Sequence, residues 1–383
     1  GNTPGELSVT TLQERDLIGT WNDTGWCHGL EQTLPELFEQ AASRLPVAEA
    51  LRSEDRALDF GHVLRRTNAI ASGLLREGVA AGDRVAIYDD RSLDALLGVL
   101  GILRCGAVCV PLDPQAPAAR TLSMLEDAGV SALLARAGRK PSGPTGRARP
   151  VEMAEGEATE PPAARPKLGA DAFVLFTSGS TGRPKGVPIR HESLLNRVAW
   201  MNRRFGLNRM DVVLQKNRLT WDVSIWEYLW PLAFGGRCYV ASGSVAADPA
   251  RVHACIRSNG VTIAHFVPSL TGPMARIART EGPVGLRLTI CSGEALGISA
   301  ARQYIESVGG ELYNLYGPTE AAIDVTCGRC DGGDGNVTIG RPVENTQIHI
   351  TDAAGRECPI GVIGELGIAG IQVSHRYCKA PGV

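Results

Sequence analysis

The chain has 383 residues, 44% of them apolar and 21% charged, with a formal net charge of −2. That length exceeds one ordinary domain and can bury a large core, and the composition is that of a globular protein. The charge balance gives no electrostatic footprint for nucleic acid, no apolar run of about 18 residues offers a membrane span, and no basic segment followed by an apolar one marks a secretory leader. Ten cysteines lie scattered through apolar stretches, as at Cys105, Cys109, Cys238 and Cys255. That scatter suits reduced thiols and a cytoplasmic location better than a disulfide framework.

Residues 1–30 are polar and turn-rich, around Trp21-Asn22-Asp23-Thr24. A helix is expected over 34–45, where Thr33 and Glu36 have capping-box spacing and Leu34, Leu37, Phe38, Ala41 and Leu45 make one apolar stripe. A longer helix over 61–77 stops at Gly78. Next come a strand at 85–88, a helix at 93–104, a strand at 107–110 that ends at Pro111-Leu112-Asp113-Pro114, a helix at 118–128 and a strand at 131–135. This alternation predicts a largely parallel sheet with crossover helices. Residues 137–168 are rich in Pro, Gly, Ala, Arg and Glu without apolar periodicity, and read as a mobile loop joining two sheet units.

A short apolar strand at 171–176 then runs into Thr177-Ser178-Gly179-Ser180-Thr181-Gly182-Arg183-Pro184-Lys185-Gly186. Glycines let backbone N–H groups approach a ligand, Ser and Thr hydroxyls donate to anionic oxygens, and a lysine adds a point charge suited to phosphate. Phosphate binding is the functional reading and a flexible surface loop the plain one. The spacing is not that of a P-loop: five residues on from Gly179 stands Pro184, and Gly186 follows the lysine instead of preceding it. A helical pattern starts at His191.

Alternation resumes with strands at 212–215, 238–241, 262–267, 287–291 and 311–315, separated by helices at about 191–203, 223–233, 249–258, 269–280 and 297–308. From about 337 the pattern shortens to strands at 347–351 and 364–369, a small β-rich part. Cys327-Gly328-Arg329-Cys330 has no second cysteine pair and reads as a solvent-facing loop rather than a metal site. Two further stretches carry chemistry. Asn314-Leu315-Tyr316-Gly317-Pro318-Thr319-Glu320 leaves a strand end, where ligands bind in doubly wound sheets, although a plain turn would read the same way. In Trp221-Asp222-Val223-Ser224-Ile225-Trp226, Asp222 can cap the following helix or hold a cation.

Taken in order, these stretches resemble the blocks of the adenylate-forming enzymes: acyl-CoA synthetases, luciferases and, most closely, the amino acid adenylation domains of nonribosomal peptide synthetases. The resemblance covers about residues 15 to 383. It includes Cys105-Gly106-Ala107-Val108-Cys109-Val110-Pro111-Leu112-Asp113 and Gly364-Glu365-Leu366-Gly367-Ile368-Ala369-Gly370 as structural blocks. It implies an α/β fold of two packed α/β subdomains with largely parallel sheets, about 31–170 and 171–335, plus a small β-barrel-like part at 336–383. Residues 1–30 resemble the linker that precedes such domains. The small C-terminal lid domain, with its lysine, is absent from these residues.

The resemblance also implies roles. Thr177, Ser178, Gly179, Ser180, Thr181, Gly182 and Lys185 would hold the phosphates of ATP. Tyr316 would stack on adenine beside Asn314 and Gly317, with Gly293 and Glu294 nearby. Thr319 would contact the α-phosphate and Glu320 the magnesium ion. Asp222 would pair with the α-ammonium of an amino acid, a feature that fatty-acid- and aryl-activating relatives generally lack. The pocket would be lined by Asp222, Val223, Trp226, His265, Ile290, Ser292, Leu315, Ile323 and Asp324. Singly, His265 could be a core histidine and Asp324 a turn residue. As a set they resemble a serine-activating pocket, because His265, Ser292 and Asp324 offer hydrogen bonds in an apolar wall. The expected reaction is ATP plus L-serine giving seryl-AMP and pyrophosphate, with transfer to the phosphopantetheine thiol of a peptidyl carrier protein. A condensation domain and an MbtH-like helper protein are the other implied partners. An acyl- or aryl-CoA ligase, or a core that binds nucleotide without turnover, are the alternatives. Trp221 stands where Phe is usual, and Lys216-Asn217-Arg218-Leu219 and Val373-Ser374-His375-Arg376-Tyr377 depart from the common pattern.

Overall fold

The computed structural model describes residues 10–29, 31–139, 143–177, 184–333 and 335–378. Its architecture follows from how apolar residues are distributed around each element. The helices Leu93–Arg104 and Val223–Phe234 are apolar all round and buried along nearly their whole length, as a helix must be when it is covered on every side. The helix Leu34–Arg44 is amphipathic and buries one stripe, with the Glu36 carboxylate accepting from the Thr33 N–H at 2.7 Å. These three, with Phe60–Arg76 and His191–Phe205, form a middle layer between two sheets, and one continuous core joins them to an inner face of each. A second cluster packs Pro249–Asn259, Pro268–Glu281 and Ile298–Val308 on the outer face of the larger sheet. A third packs Ala118–Ala128 on the outer face of the smaller one. Helix, sheet, helix, sheet and helix are thus stacked in five layers.

The smaller sheet has six strands in the spatial order Arg149–Glu152, Ala132–Ala135, Arg84–Tyr88, Val108–Leu112, Asp171–Thr177 and Lys185–Arg190. All neighbours are parallel except the last pair. The larger has nine strands, from Arg341–Pro342 at one edge to the antiparallel pair Glu49–Arg52 and Ala57–Asp59 at the other; its middle strands are parallel. The hairpin Thr346–Thr351 with Glu365–Gly370 forms the β-rich part.

The α/β class and parallel pairing agree with expectation, and most predicted elements lie within two residues of those observed. The differences concern pairing and short segments. A division at residue 170 does not follow the sheets: 171–190 completes the first sheet, and 49–59 completes the second. The stretch 137–168 contains the strand Arg149–Glu152, which extends the parallel sheet. The N-terminal stretch, expected to be turn-rich, contains the helix Leu12–Trp21, whose start is closed by a Thr11–Glu14 capping box. Asn22 then donates to the Ile348 carbonyl and accepts from its N–H, tying this stretch to the hairpin. Cys327 and Cys330 lie in the strand Thr326–Cys330, not in a loop, and Cys330 is buried. An odd spacing in a strand puts the two thiols on opposite faces, so they cannot share a metal. No helix of the described residues is long and apolar enough to cross a membrane.

Candidate active site

Three pieces of backbone converge. The first is the open end of the antiparallel pair Asp171–Thr177 and Lys185–Arg190, where Thr177 stands opposite Lys185. The expected phosphate loop is therefore flanked by strands on both sides, unlike a P-loop, which leads into a helix. Ser178, Gly179, Ser180, Thr181 and Gly182 lie outside the described residues. The second piece is the carboxyl end of the parallel strands Ile263–Phe266, Leu288–Cys291 and Glu311–Tyr316, with the 317–324 loop that follows. The third is the start of helix Val223–Phe234, where Asp222 stands.

Thr177 and Glu320 meet, with the Thr177 hydroxyl donating to Glu320 Oε1 at 3.5 Å. Tyr377 donates to the same oxygen at 3.0 Å, and Lys185 Nζ lies 5.1 Å from the centre of the Tyr377 ring. The C-terminal segment holds this arrangement: the Ser374 N–H donates to the Glu320 carbonyl, its hydroxyl to the Pro188 carbonyl, and the Cys378 N–H to the Gly186 carbonyl. Among the described residues Glu320 has no cationic partner, and no cluster of three His, Cys, Asp or Glu side chains could hold a metal. Tyr316, at the end of its strand, is 38% exposed. Asn314 is buried and donates to the Thr338 carbonyl at 3.0 Å. Glu294, next to the left-handed Gly293, accepts from the N–H and hydroxyl of Ser269 at the start of helix Pro268–Glu281.

Asp222 stands at the helix start, as the cap reading expects, and also faces the 317–324 loop. One oxygen accepts from the Val223 N–H at the helix start, and the other accepts from the Thr319 hydroxyl at 2.7 Å. Burial pushes its carboxyl up to about 6; the Thr319 and Val223 donors oppose the rise, and the charges of Asp324 and Glu320 add to it.

The apolar lining residues Val223, Trp226, Ile290, Leu315 and Ile323 are all buried. Beside them lies a continuous polar chain. His265 is held between Asn217, 3.0 Å from Nδ1, and Ser292, 3.0 Å from Nε2. The Ser292 hydroxyl faces Asp324 and lowers its carboxyl, and Asp324 pairs with Arg197 at 2.7 Å, their side chains 2% and 0% exposed. Burial, with Lys216 and Arg197 nearby, holds His265 well below the ordinary histidine range, so the ring is neutral at pH 7. The Arg197 Cζ sits 4.7 Å from the centre of the Trp200 ring, which offsets part of the cost of burying a guanidinium.

The 317–324 loop is strained. Ala322 and Ile323 have φ of +52° and +86°, a conformation unfavourable for a β-branched side chain. Gln372 stabilises it, its side-chain amide donating to the carbonyls of Ala321, Ala322 and Asp324. Gly317 has no room for a side chain: a Cβ there would lie 2.5 Å from the Ile323 carbonyl oxygen and from Asp324 Cα.

Four contributors escaped the sequence reading of the site: Arg197, Asn217, Gln372 and Tyr377. A signal existed for Arg197, a lone arginine in the apolar stripe Leu194, Val198 and Met201. Gln372 stands between two apolar residues in a short segment and gives none.

The model of the AMP-binding enzyme family matches residues 38–378. The chain is 36% identical to phosphinothricin tripeptide synthetase PhsB of Streptomyces viridochromogenes over 97% of its length, covering 32% of that protein. It is 34% identical to enterobactin synthase component F of Escherichia coli over 92% of its length, covering 28% of that protein. It therefore spans about a third of the curated relatives it matches. Among solved structures, the nonribosomal peptide synthetase FmoA3 in its alpha-methyl-L-serine-AMP-bound form superposes with a TM-score of 0.91 at 25% identity, over 98% of this chain and 43% of that one.

Proposed function

Since this chain belongs to the AMP-binding enzyme family, the adenylate-forming ligases, we propose that it is the adenylation core of a nonribosomal peptide synthetase and activates L-serine with ATP to seryl-AMP and pyrophosphate. The observation that carries the reading is the 2.7 Å contact between Asp222 and Thr319. An α-amino acid whose ammonium rests on Asp222 has its carboxylate carbon two bonds further on, beside the hydroxyl assigned to the α-phosphate. The carboxylate is the nucleophile, so the work of the protein is positioning and charge neutralisation.

Glu320 fits a magnesium ion: it is a carboxylate without a cationic partner among the described residues, beside Thr177 at the mouth of the phosphate loop. The ion supplies charge neutralisation on the phosphates when bound. Thr177, Lys185 and Tyr377 order that end of the site, and Tyr316 offers its face to adenine. Val223, Trp226, Ile290, Leu315 and Ile323 exclude water from the amino acid.

Serine suits the rest of the pocket. Trp226 Nε1 is buried with no hydrogen-bond partner among the described residues, and its ring lies edge-on to His265 with centroids 6.2 Å apart. A ligand hydroxyl brings the acceptor that this donor lacks. Asp324 is already neutralised by Arg197, so a second ammonium, as in 2,3-diaminopropionate, would enter beside a buried cation without a partner of its own. FmoA3, which has been solved with alpha-methyl-L-serine-AMP, is consistent with this substrate class. Transfer to a carrier-protein phosphopantetheine thiol, a neighbouring condensation domain and an MbtH-like protein belong to the same proposal.

Calorimetric binding of non-hydrolysable adenylate analogues tests it. The seryl form is expected to bind roughly ten- to hundredfold tighter than the alanyl form, which leaves buried polar groups unpaired. A fatty acyl form binding as tightly as the seryl form would favour an acyl-CoA ligase instead. A pH series adds a second check. Only ionised Asp222 pairs with an ammonium, so affinity for the seryl analogue is expected to fall about tenfold per pH unit as pH drops below about 6. The raised carboxyl also means that stability of the ligand-free protein is lost, not gained, as pH rises through that range. Affinity unchanged between pH 7.5 and pH 5 would remove Asp222 from its role.

A further inference from the structure

We propose that Asn217 is a positioning residue for the amino acid pocket: its side-chain amide fixes the tautomer of His265 and so the direction of the hydrogen-bond chain in the pocket wall. The inference rests on the serine reading only for its consequence, not for the tautomer itself.

Burial lowers Lys216 and the neighbouring Glu227 charge opposes that; as an ammonium its Nζ only donates, and it lies 3.3 Å from Asn217 Oδ1, which assigns that end of the amide as oxygen. The other end, Nδ2, carries two hydrogens and has two neighbours: Glu227 Oε1 at 2.6 Å and His265 Nδ1 at 3.0 Å. One hydrogen goes to each. Glu227 is in turn held by the N–H groups of Lys216 and Asn217, both at 3.2 Å on its other oxygen, so the amide cannot swing away without breaking several buried bonds.

His265 Nδ1 therefore accepts and carries no proton. In the neutral ring the proton sits on Nε2 and is donated to Ser292 Oγ at 3.0 Å. The Ser292 hydrogen is then free to turn to the Asp324 carboxyl, which Ser292 lowers and which accepts from Arg197. Every donor from Asn217 onward points the same way, and Ser292 Oγ keeps one lone pair with no protein partner assigned to it. The wall thus offers an acceptor to a ligand hydroxyl. With the opposite tautomer, Ser292 would donate to the ring and Asp324 would lose one of its donors.

The test is nitrogen NMR on the 383-residue protein with ¹⁵N-labelled histidine, together with calorimetry using the seryl and alanyl sulfamoyl-adenosine analogues. His265 of the unaltered protein is expected to show a protonated Nε2 and a bare Nδ1. Asn217→Asp places a pure acceptor against Nδ1; the proton is expected to move to Nδ1, and seryl affinity to fall about tenfold with the alanyl analogue little changed. Asn217→Thr retains a donor and is expected to preserve both the Nε2–H tautomer and most of the seryl preference, which guards against misfolding of the Asp variant beside Glu227. A protonated Nδ1 or a charged His265 ring in the unaltered protein overturns the proposal without any variant. So does a loss of seryl affinity in Asn217→Thr with the tautomer retained, since Asn217 would then be merely structural. If the unaltered protein shows the expected tautomer but no seryl preference, the serine assignment fails and the tautomer assignment stands.

Discussion

Asp222→Ala is expected to weaken binding of the seryl-adenylate analogue by two to three orders of magnitude while leaving the protein folded. The ammonium of the ligand would enter a half-buried site with nothing to neutralise it, and removing one member of such a pair costs about 3–5 kcal/mol. The ligand-free protein bears little of this loss. Its Asp222 carboxyl is already raised to about 6 because burial disfavours the charge, so truncation relieves that burden. It also forfeits the Val223 and Thr319 bonds, a loss of about 1 kcal/mol for a helix-start residue. The two effects oppose each other, and the unfolding midpoint in urea is expected to move little. Calorimetry and urea unfolding on the same preparation separate the two quantities. Unchanged seryl affinity would refute the assignment of Asp222 to the ammonium.

Arg197→Leu is expected to do the reverse and unfold the protein more readily, by about 3–5 kcal/mol, because it leaves the Asp324 carboxylate buried and unpaired. Asp324 is already raised by burial, with Arg197 and Ser292 opposing the rise. Without the guanidinium it would rise further. A raised carboxylate favours the fold where it is protonated, so the deficit of the variant should grow as pH rises and shrink toward pH 5. Arg197→Leu with Asp324→Leu is expected to recover much of the loss, since a buried pair replaced as a unit by apolar residues is close to neutral. That double variant would still lose discrimination between seryl and alanyl analogues. Denaturant unfolding at two pH values checks the first claims and calorimetry the last. A single variant as stable as the parent at pH 7.5 would show that Asp324 is not confined as the structure has it.

The helices and parallel strands were legible because each carries its own periodicity and punctuation. Leu34, Leu37, Phe38 and Ala41 mark the buried stripe of one helix, and the apolar runs ending at Gln215, Phe266 and Cys291 mark central strands. The candidate site was legible as short contiguous stretches, because a loop that holds phosphate or leaves a strand end needs particular residue types in a row. Asp222, Thr319 and Glu320, each in one of those stretches, are brought near one another through the Asp222–Thr319 and Thr177–Glu320 contacts.

Sheet membership was not legible, because pairing depends on partners far away in the chain. Strands 49–59 complete a sheet built mostly from residues after 211, and nothing local in Glu49–Arg52 announces it. The same holds for the groups behind the pocket. Asn217 matters because its amide lies 3.0 Å from a histidine 48 residues later, Arg197 because Asp324 is 127 residues away, and Gln372 because it reaches three carbonyls of a strained loop about 50 residues earlier. Local pattern decides which backbone geometry a segment prefers and which chemistry it can offer. Whether a polar side chain is solvated or becomes one member of a buried chain of donors and acceptors is set by what the fold brings against it, and that is a property of distance in space, not of position in the sequence.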